Sequence, residues 1–178
     1  MEKEKRRSEA LTIIRLGPVT DAYMGDIPSL IKQLNILRST ELVAYLQYKH
    51  HAYMAVSLAM PAIRDEFLEH ARTEEKHADR LGERIQQLGG NPVFQPDEIA
   101  KLACQHQIEA ESAPTLHEML LEDLALERKQ IEAYTLLIRQ VGMQDPTTRR
   151  LLEKILADTE EHASELRNML QRRNPAET

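Results

Sequence analysis

Glu41 and Glu127 each interrupt a long apolar helical stripe, and each is followed about 35 residues later by a histidine. Glu41 precedes Glu74-x-x-His77, and Glu127 precedes Thr159-x-x-His162. A buried carboxylate is costly unless it finds a cation or loses its charge. Three inward carboxylates in one dry core repel one another, and a pair of divalent ions removes that penalty. Mixed oxygen and nitrogen donors suit iron, manganese or zinc. Carboxylates from two helices plus two Glu-x-x-His pairs are the ligand layout of a dinuclear site in a four-helix bundle. Five of the six positions are present: Glu41, Glu74, His77, Glu127 and His162. The sixth departs, because Thr159 stands where a second Glu would complete the pattern. Its loss removes a charge and a bridge, so the sequence predicts unequal occupancy. The better-held ion belongs near Glu41, Glu74 and His77, and the weaker one near Glu127 and His162.

Neighbouring residues do not repair the gap. At about 100° per residue, Glu160 points nearly opposite His162 and Glu161 points sideways. Asp158 faces the right way but is short, and it suits a role as the acceptor that orients His77 from the adjacent helix. His70, four residues before Glu74, is placed to line an entry path or hold an ion in transit. His50 and His51 are read as surface or interface residues, Glu132, Glu153 and Glu165 as solvated, and the methionines as packing residues.

These side chains need four helices to bring them together. Asp26 and Pro28 mark the start of the first, which runs to about Leu58. Pro61 opens the second, stopped at Gly89-Gly90. Residues 91–114 form a long connection in which Pro96-Asp97-Glu98 starts a short helix reaching about Cys104. Thr115-Leu-His-Glu118 reads as a capping box for the third long helix, ending near Gly142. Asp145-Pro146 caps the fourth, which reaches about Arg173. Every long helix carries one apolar stripe at i, i+3, i+4, i+7 spacing. Two hairpins joined by a long crossover give an all-α, ferritin-like four-helix bundle. The domain division is an N-terminal extension at 1–25, the bundle at 26–173 and a short tail at 174–178.

Length and charge narrow the class. The chain has 178 residues, enough for one domain with its own core. It carries no apolar run of about 18 residues, so no membrane span is expected. The charged start leads into no signal-type segment, and a single cysteine, Cys104, fits a reducing cytosol, so a cytoplasmic location is expected. The net charge of −6 argues against a dedicated nucleic-acid surface. The cluster Lys3, Lys5, Arg6 and Arg7 reads as a solvated, disordered terminus.

The motifs resemble those of the ferritin superfamily, specifically bacterioferritin and its Dps-like relatives. Glu41-Leu-Val-Ala-Tyr-Leu-Gln-Tyr48 is similar to the bacterioferritin motif E-L-x-A-x-x-Q-Y. Glu74-Glu-Lys-His-Ala-Asp-Arg80 is similar to E-x-K-H-A-D-R, and Asp123-Leu-Ala-Leu-Glu127 to D-L-A-L-E. Ile155-Leu-Ala-Asp-Thr-Glu-Glu-His162 is similar to I-L-x-D-E-E-x-H except at Thr159. The likeness spans roughly residues 28–170.

That resemblance implies two irons held by Glu41, Glu74, His77, Glu127 and His162, with Asp158 and Thr159 beside them and Tyr48 as a one-electron donor. It implies a ferroxidase that oxidises Fe(II) with O2 or H2O2 and stores the product in an oligomeric shell. A degenerate or non-storage relative with one metal or a weakened site is the alternative. Haem-binding bacterioferritins have Met after the second-helix ligand. Glu75 stands there, so no haem is expected. Only a few residues follow the fourth helix, where bacterioferritins carry a short fifth helix that builds 24-subunit shells. The partly helical crossover around Leu102-Ala-Cys104 is similar to the Dps-like branch with 12-subunit shells, so 12 subunits are expected and 24 is the alternative. That branch often has a second cysteine after the third-helix glutamate, where Arg128-Lys129 stand here.

Overall fold

The computed structural model describes residues 1–57, 61–104 and 115–173. Six helices occupy them: α1 (Glu2–Leu16), α2 (Ile27–Ser57), α3 (Pro61–Gln87), α4 (Pro96–Ala103), α5 (Leu116–Val141) and α6 (Pro146–Arg173). No strand occurs among the described residues. The helix ends obey local chemistry. Thr115 Oγ1 accepts from Glu118 N, and Glu118 Oε2 accepts from Thr115 N, a complete capping box. Gly89, at φ 82°, ends α3, with Gly90 N donating to Ile85 O and Gly89 N to Gln86 O. These are the two bonds of a Schellman stop. Asp145 caps α6 by accepting from Thr148 N at 2.8 Å, and Arg84 of α3 clamps the same carboxylate at 2.8 Å.

Two apolar clusters define the bundle. One gathers Leu34 and Leu37 of α2, Leu81 and Ile85 of α3, Leu137 of α5, and Leu152 and Ile155 of α6. The other gathers Tyr48 and Ala52, Phe67 and Ala71, Met119 and Leu120, and Leu166 from the same four helices. Chain direction follows from which cluster each helix meets first. The helices α2 and α6 run from the first cluster to the second, while α3 and α5 run back. Consecutive long helices α3 and α5 are therefore parallel, and only a long crossover can join them, as in ferritin-like bundles. Within that crossover, α4 lays Ile99 and Ala103 over Val43, Ala44 and Leu126.

Between the two clusters each of the four long bundle helices contributes a polar residue to a single buried layer. Glu41, Glu74, Glu127 and Thr159 are each 0% exposed there. Solvating groups must come from the protein itself or from bound ions.

One expectation needs correction. The N-terminal extension is helical rather than disordered, with α1 spanning Glu2–Leu16 and the side chains of residues 1–14 exposed. Glu2 and Glu4 in its first turn favour the helix dipole. Among the described residues no helix is long and apolar enough to cross a membrane. The end of the first long helix near Leu58, the crossover residues 105–114 and the tail 174–178 lie outside the described residues.

Candidate metal centre

Glu74 is the centre of the polar layer. It lies one turn from His77 on α3, and its two oxygens face opposite halves of the bundle. Oε2 lies 3.9 Å from His77 Nδ1, and Oε1 lies 3.1 Å from His162 Nδ1 on α6. On one side, Glu41 of α2 places Oε2 3.1 Å from His77 Nδ1. On the other, Glu127 of α5 places Oε1 3.3 Å from His162 Nδ1. The sequence-predicted residues Glu41, Glu74, His77, Glu127 and His162 thus meet in one layer. Glu41, Glu74 and His77 form one set of donors within 4.8 Å of one another.

Surrounding groups hold these donors in place. Asp158 Oδ2 is 3.1 Å from His77 Nε2, which aims Nδ1 at the carboxylates. Tyr48 OH donates to Glu127 Oε1 at 2.5 Å. Tyr134 OH and Gln130 Nε2 donate to Glu41 Oε1 at 2.7 and 2.9 Å. Thr159 is buried in the layer but turns away from it: Oγ1 donates to Ile155 O of its own helix at 2.9 Å.

Electrostatics follow from dryness and crowding. Burial and the neighbouring Glu74 charge push the Glu41 and Glu127 carboxyls up from the usual range. Burial would also raise Glu74, but hydrogen bonds from His162 and His77 outweigh it and hold this carboxylate low. Burial alone would lower the two imidazoles. Their bonds to Glu41, Glu74 and Glu127 instead raise His77 to about 11 and His162 to about 10. Without metal, protons on the two imidazoles therefore offset part of the carboxylate charge in the layer. Glu127 Oε2 is buried with no hydrogen-bond partner, and Glu74 Oε1 has only its contact with His162. An orphaned acceptor is expensive in a protein interior, and a cation in the layer would satisfy it. Five donors of mixed carboxylate and imidazole character fit a pair of divalent transition metals.

Some residues sit where the sequence reading did not put them. His51 is not at the surface. It is 0% exposed, with Nδ1 2.9 Å from Asp123, which also accepts from Gln47 at 2.9 Å. The signal was available: His51 is three residues after Tyr48 and Asp123 four before Glu127, both on inward faces. His50 is exposed as expected. Glu165 is not fully solvated, since it accepts from or is shared with His70 Nε2 at 2.9 Å. His70 itself is 2% exposed and stacks on His162 with ring centroids 4.0 Å apart. Burial holds it neutral, pushing its pKa down to about 3. It also lines a groove of ≈ 580 Å³ between α3 and α6, with Glu66, Glu69, Asp158, Glu161 and Glu165. Gln130 and Tyr134 were missed as site residues, although both follow Glu127 at helical spacing.

Known proteins carry the same arrangement of helices. The Ferritin-like domain family matches residues 31–174. The chain belongs to the ferritin-like family. Within it, a nutrient stress-induced DNA-binding protein from Synechococcus is 34% identical over 77% of this chain and 78% of its own length. A bacterial ferritin from Pseudomonas aeruginosa is 34% identical over 80% and 87%. A bacterioferritin from Mycobacterium leprae is 31% identical over 82% and 86%. Among solved structures, the bacterioferritin-related protein from Bacteroides fragilis, a dodecameric thioferritin, superposes with a TM-score of 0.77 at 32% identity. It covers 83% of this chain and 87% of its own. In this ferritin-like chain Cys104 is exposed at the end of α4, and Arg128 and Lys129 follow Glu127.

Proposed function

We propose that this ferritin-like protein binds Fe(II) at an intrasubunit two-metal carboxylate site, oxidises it with O2 or H2O2, and stores the product inside a shell of identical subunits. The observation that carries this reading is Glu74, whose two oxygens reach toward His77 on one side and His162 on the other. A carboxylate so placed can bridge two cations and lower the cost of bringing them together. Glu41 and His77 would hold the first ion, and Glu127 and His162 the second. Tyr48, within hydrogen-bond reach of Glu127, would supply an electron and hold a proton at its phenol oxygen. Burial and the charge of Glu127 raise Tyr48 well above its ordinary pKa, so it stays a phenol until it is called on. The groove bearing Glu66, Glu69, Glu161 and Glu165 would attract Fe(II) toward the layer.

The shell is argued from the surface. Leu46 and Tyr53 lie on one face of α2 at 58% and 64% exposed, and Leu136 of α5 is 56% exposed. Large apolar side chains in the open suit contact with further copies. A solved relative is described as dodecameric, which favours 12 subunits over 24. Glu75 is exposed at the position of the haem-ligating methionine, so no haem is proposed. Although two relatives are named for DNA binding, the chain's net charge of −6 keeps nucleic acid outside this proposal. Particle mass measured together with iron per subunit tests the reading. A shell-sized particle that takes up Fe(II) in excess of its site count supports storage, and a small oligomer that does not contradicts it.

Thr159 favours a second reading, a non-storage relative with one metal or a weakened site. Its hydroxyl bonds Ile155 O and leaves the second position short of a carboxylate. One tight ion per subunit, without mineral uptake, would be the outcome under this reading.

A further inference from the structure

The position opposite Thr159 is short of a donor, and the structure places an unused one beside it. His70, Glu127 and His162 present donor atoms that lie within 4.8 Å of one another, and all three residues are buried. His70 lies one turn before Glu74 on α3, so the helix that carries the bridging carboxylate carries this imidazole on the same face. Two atoms in the group are buried and have no hydrogen-bond partner: Glu127 Oε2 and His70 Nδ1. Orphaned buried polar atoms are rare in folded proteins and call for an explanation. A shared cation satisfies both at once.

Resting on the two-metal reading above, we propose that His70 completes the second metal position in place of the missing carboxylate, giving Glu74, Glu127, His162 and His70 as its donors. The exchange has a chemical consequence. A neutral imidazole replaces an anion, so the second ion keeps its ligand count but gains less charge neutralisation than the first. The geometry also gives His70 a second set of partners. Its Nε2 lies 2.9 Å from Glu165 and 3.8 Å from Glu66, both beside the groove. With those two residues it forms a further donor set within 4.8 Å. One imidazole therefore belongs to both an outer carboxylate pair and the inner layer. A packing role alone, stacking on His162, explains the ring contact but not the paired orphan atoms.

The test is titration of metal-free protein with Co(II), followed by calorimetry and by d–d absorption. The parent should bind two ions per subunit with unequal affinity. His70→Phe keeps an aromatic ring to stack on His162 and should bind one. His70→Phe combined with Thr159→Glu should regain two, because the carboxylate returns. A His70→Phe variant that still binds two ions with parental affinities overturns the proposal, as does a parent that binds only one. His77→Ala separates the two levels of the account. If it loses an ion while His70→Phe loses none, the His70 assignment fails and the site stands. If neither loses any, the site itself is wrong. In Co(II)-soaked parent crystals, anomalous scattering should place the second ion on a His70 nitrogen. An ion held by Glu127 and His162 with neither His70 nitrogen bound to it overturns the assignment without recourse to any variant.

Discussion

Glu74 of the first hairpin lies 3.1 Å from His162 of the second, so one carboxylate couples the two halves of the bundle. Its charge is held by the two imidazoles it faces, His162 and His77. Replacing it by Gln would leave two buried imidazolium groups short of an anion. Breaking a buried pair by removing one partner costs about 3–5 kcal/mol. Glu74→Gln should therefore lower the stability of metal-free protein by that order, read by urea denaturation, and should impair metal binding at both positions. Unchanged stability and stoichiometry would contradict the central place given to Glu74.

Metal binding should release protons. His77 and His162 carry protons at neutral pH in the metal-free layer, since their bonds to Glu41, Glu74 and Glu127 raise them to about 11 and about 10. Raised imidazoles contribute stability to the metal-free fold that is fully present below the ordinary histidine range near pH ~6.5. It is lost as pH rises through about 10 to 11. Metals need the neutral ring, so affinity should increase with pH across that same window. Calorimetry in buffers of differing ionisation enthalpy at pH 7 should report protons leaving as Zn(II) binds. A binding enthalpy independent of buffer would sink this point.

Tyr48→Phe separates binding from oxidation. The variant loses the phenol that donates to Glu127 at 2.5 Å. Stability should fall by about 1.5–3 kcal/mol, the range for a hydrogen bond to a charged group. Metal stoichiometry should hold, while stopped-flow oxidation of Fe(II) should slow. Parental oxidation rates in Tyr48→Phe would remove Tyr48 from the redox chemistry.

Haem should not bind. Glu75 carries a carboxylate at an exposed position of α3 where a thioether sulfur would be needed. Protein expressed with abundant haem should show no Soret band, and Glu75→Met is the variant in which one is worth seeking.

The amphipathic stripes and end signals made the bundle legible from the sequence, because each rests on residues within a few positions of one another. Asp145 capping α6 and the capping box at Thr115 are such local facts. Helical phase also sufficed to turn Glu41, Glu74 and Glu127 inward. Beyond the ligand layer and Asp158 with His77, it did not supply contacts between helices. His51 meets Asp123 across 72 residues, and His70 meets Glu165 across 95. Phase puts each residue on a face, but the partner depends on how two helices are set against each other in depth. The N-terminal helix was hidden for a different reason: its charged sequence has no apolar stripe, and the described side chains of residues 1–14 are exposed. Nothing in its pattern distinguishes a solvated helix from a solvated coil.

The most direct test is an anaerobic Fe(II) titration of the metal-free protein, run beside a variant carrying both His77→Ala and His162→Ala. The account predicts saturable binding at two Fe(II) per subunit in the parent, followed by rapid oxidation when oxygen is admitted, with both features lost in the double variant. Equal binding and equal oxidation by the two proteins would show that iron, if handled at all, is handled elsewhere on the molecule.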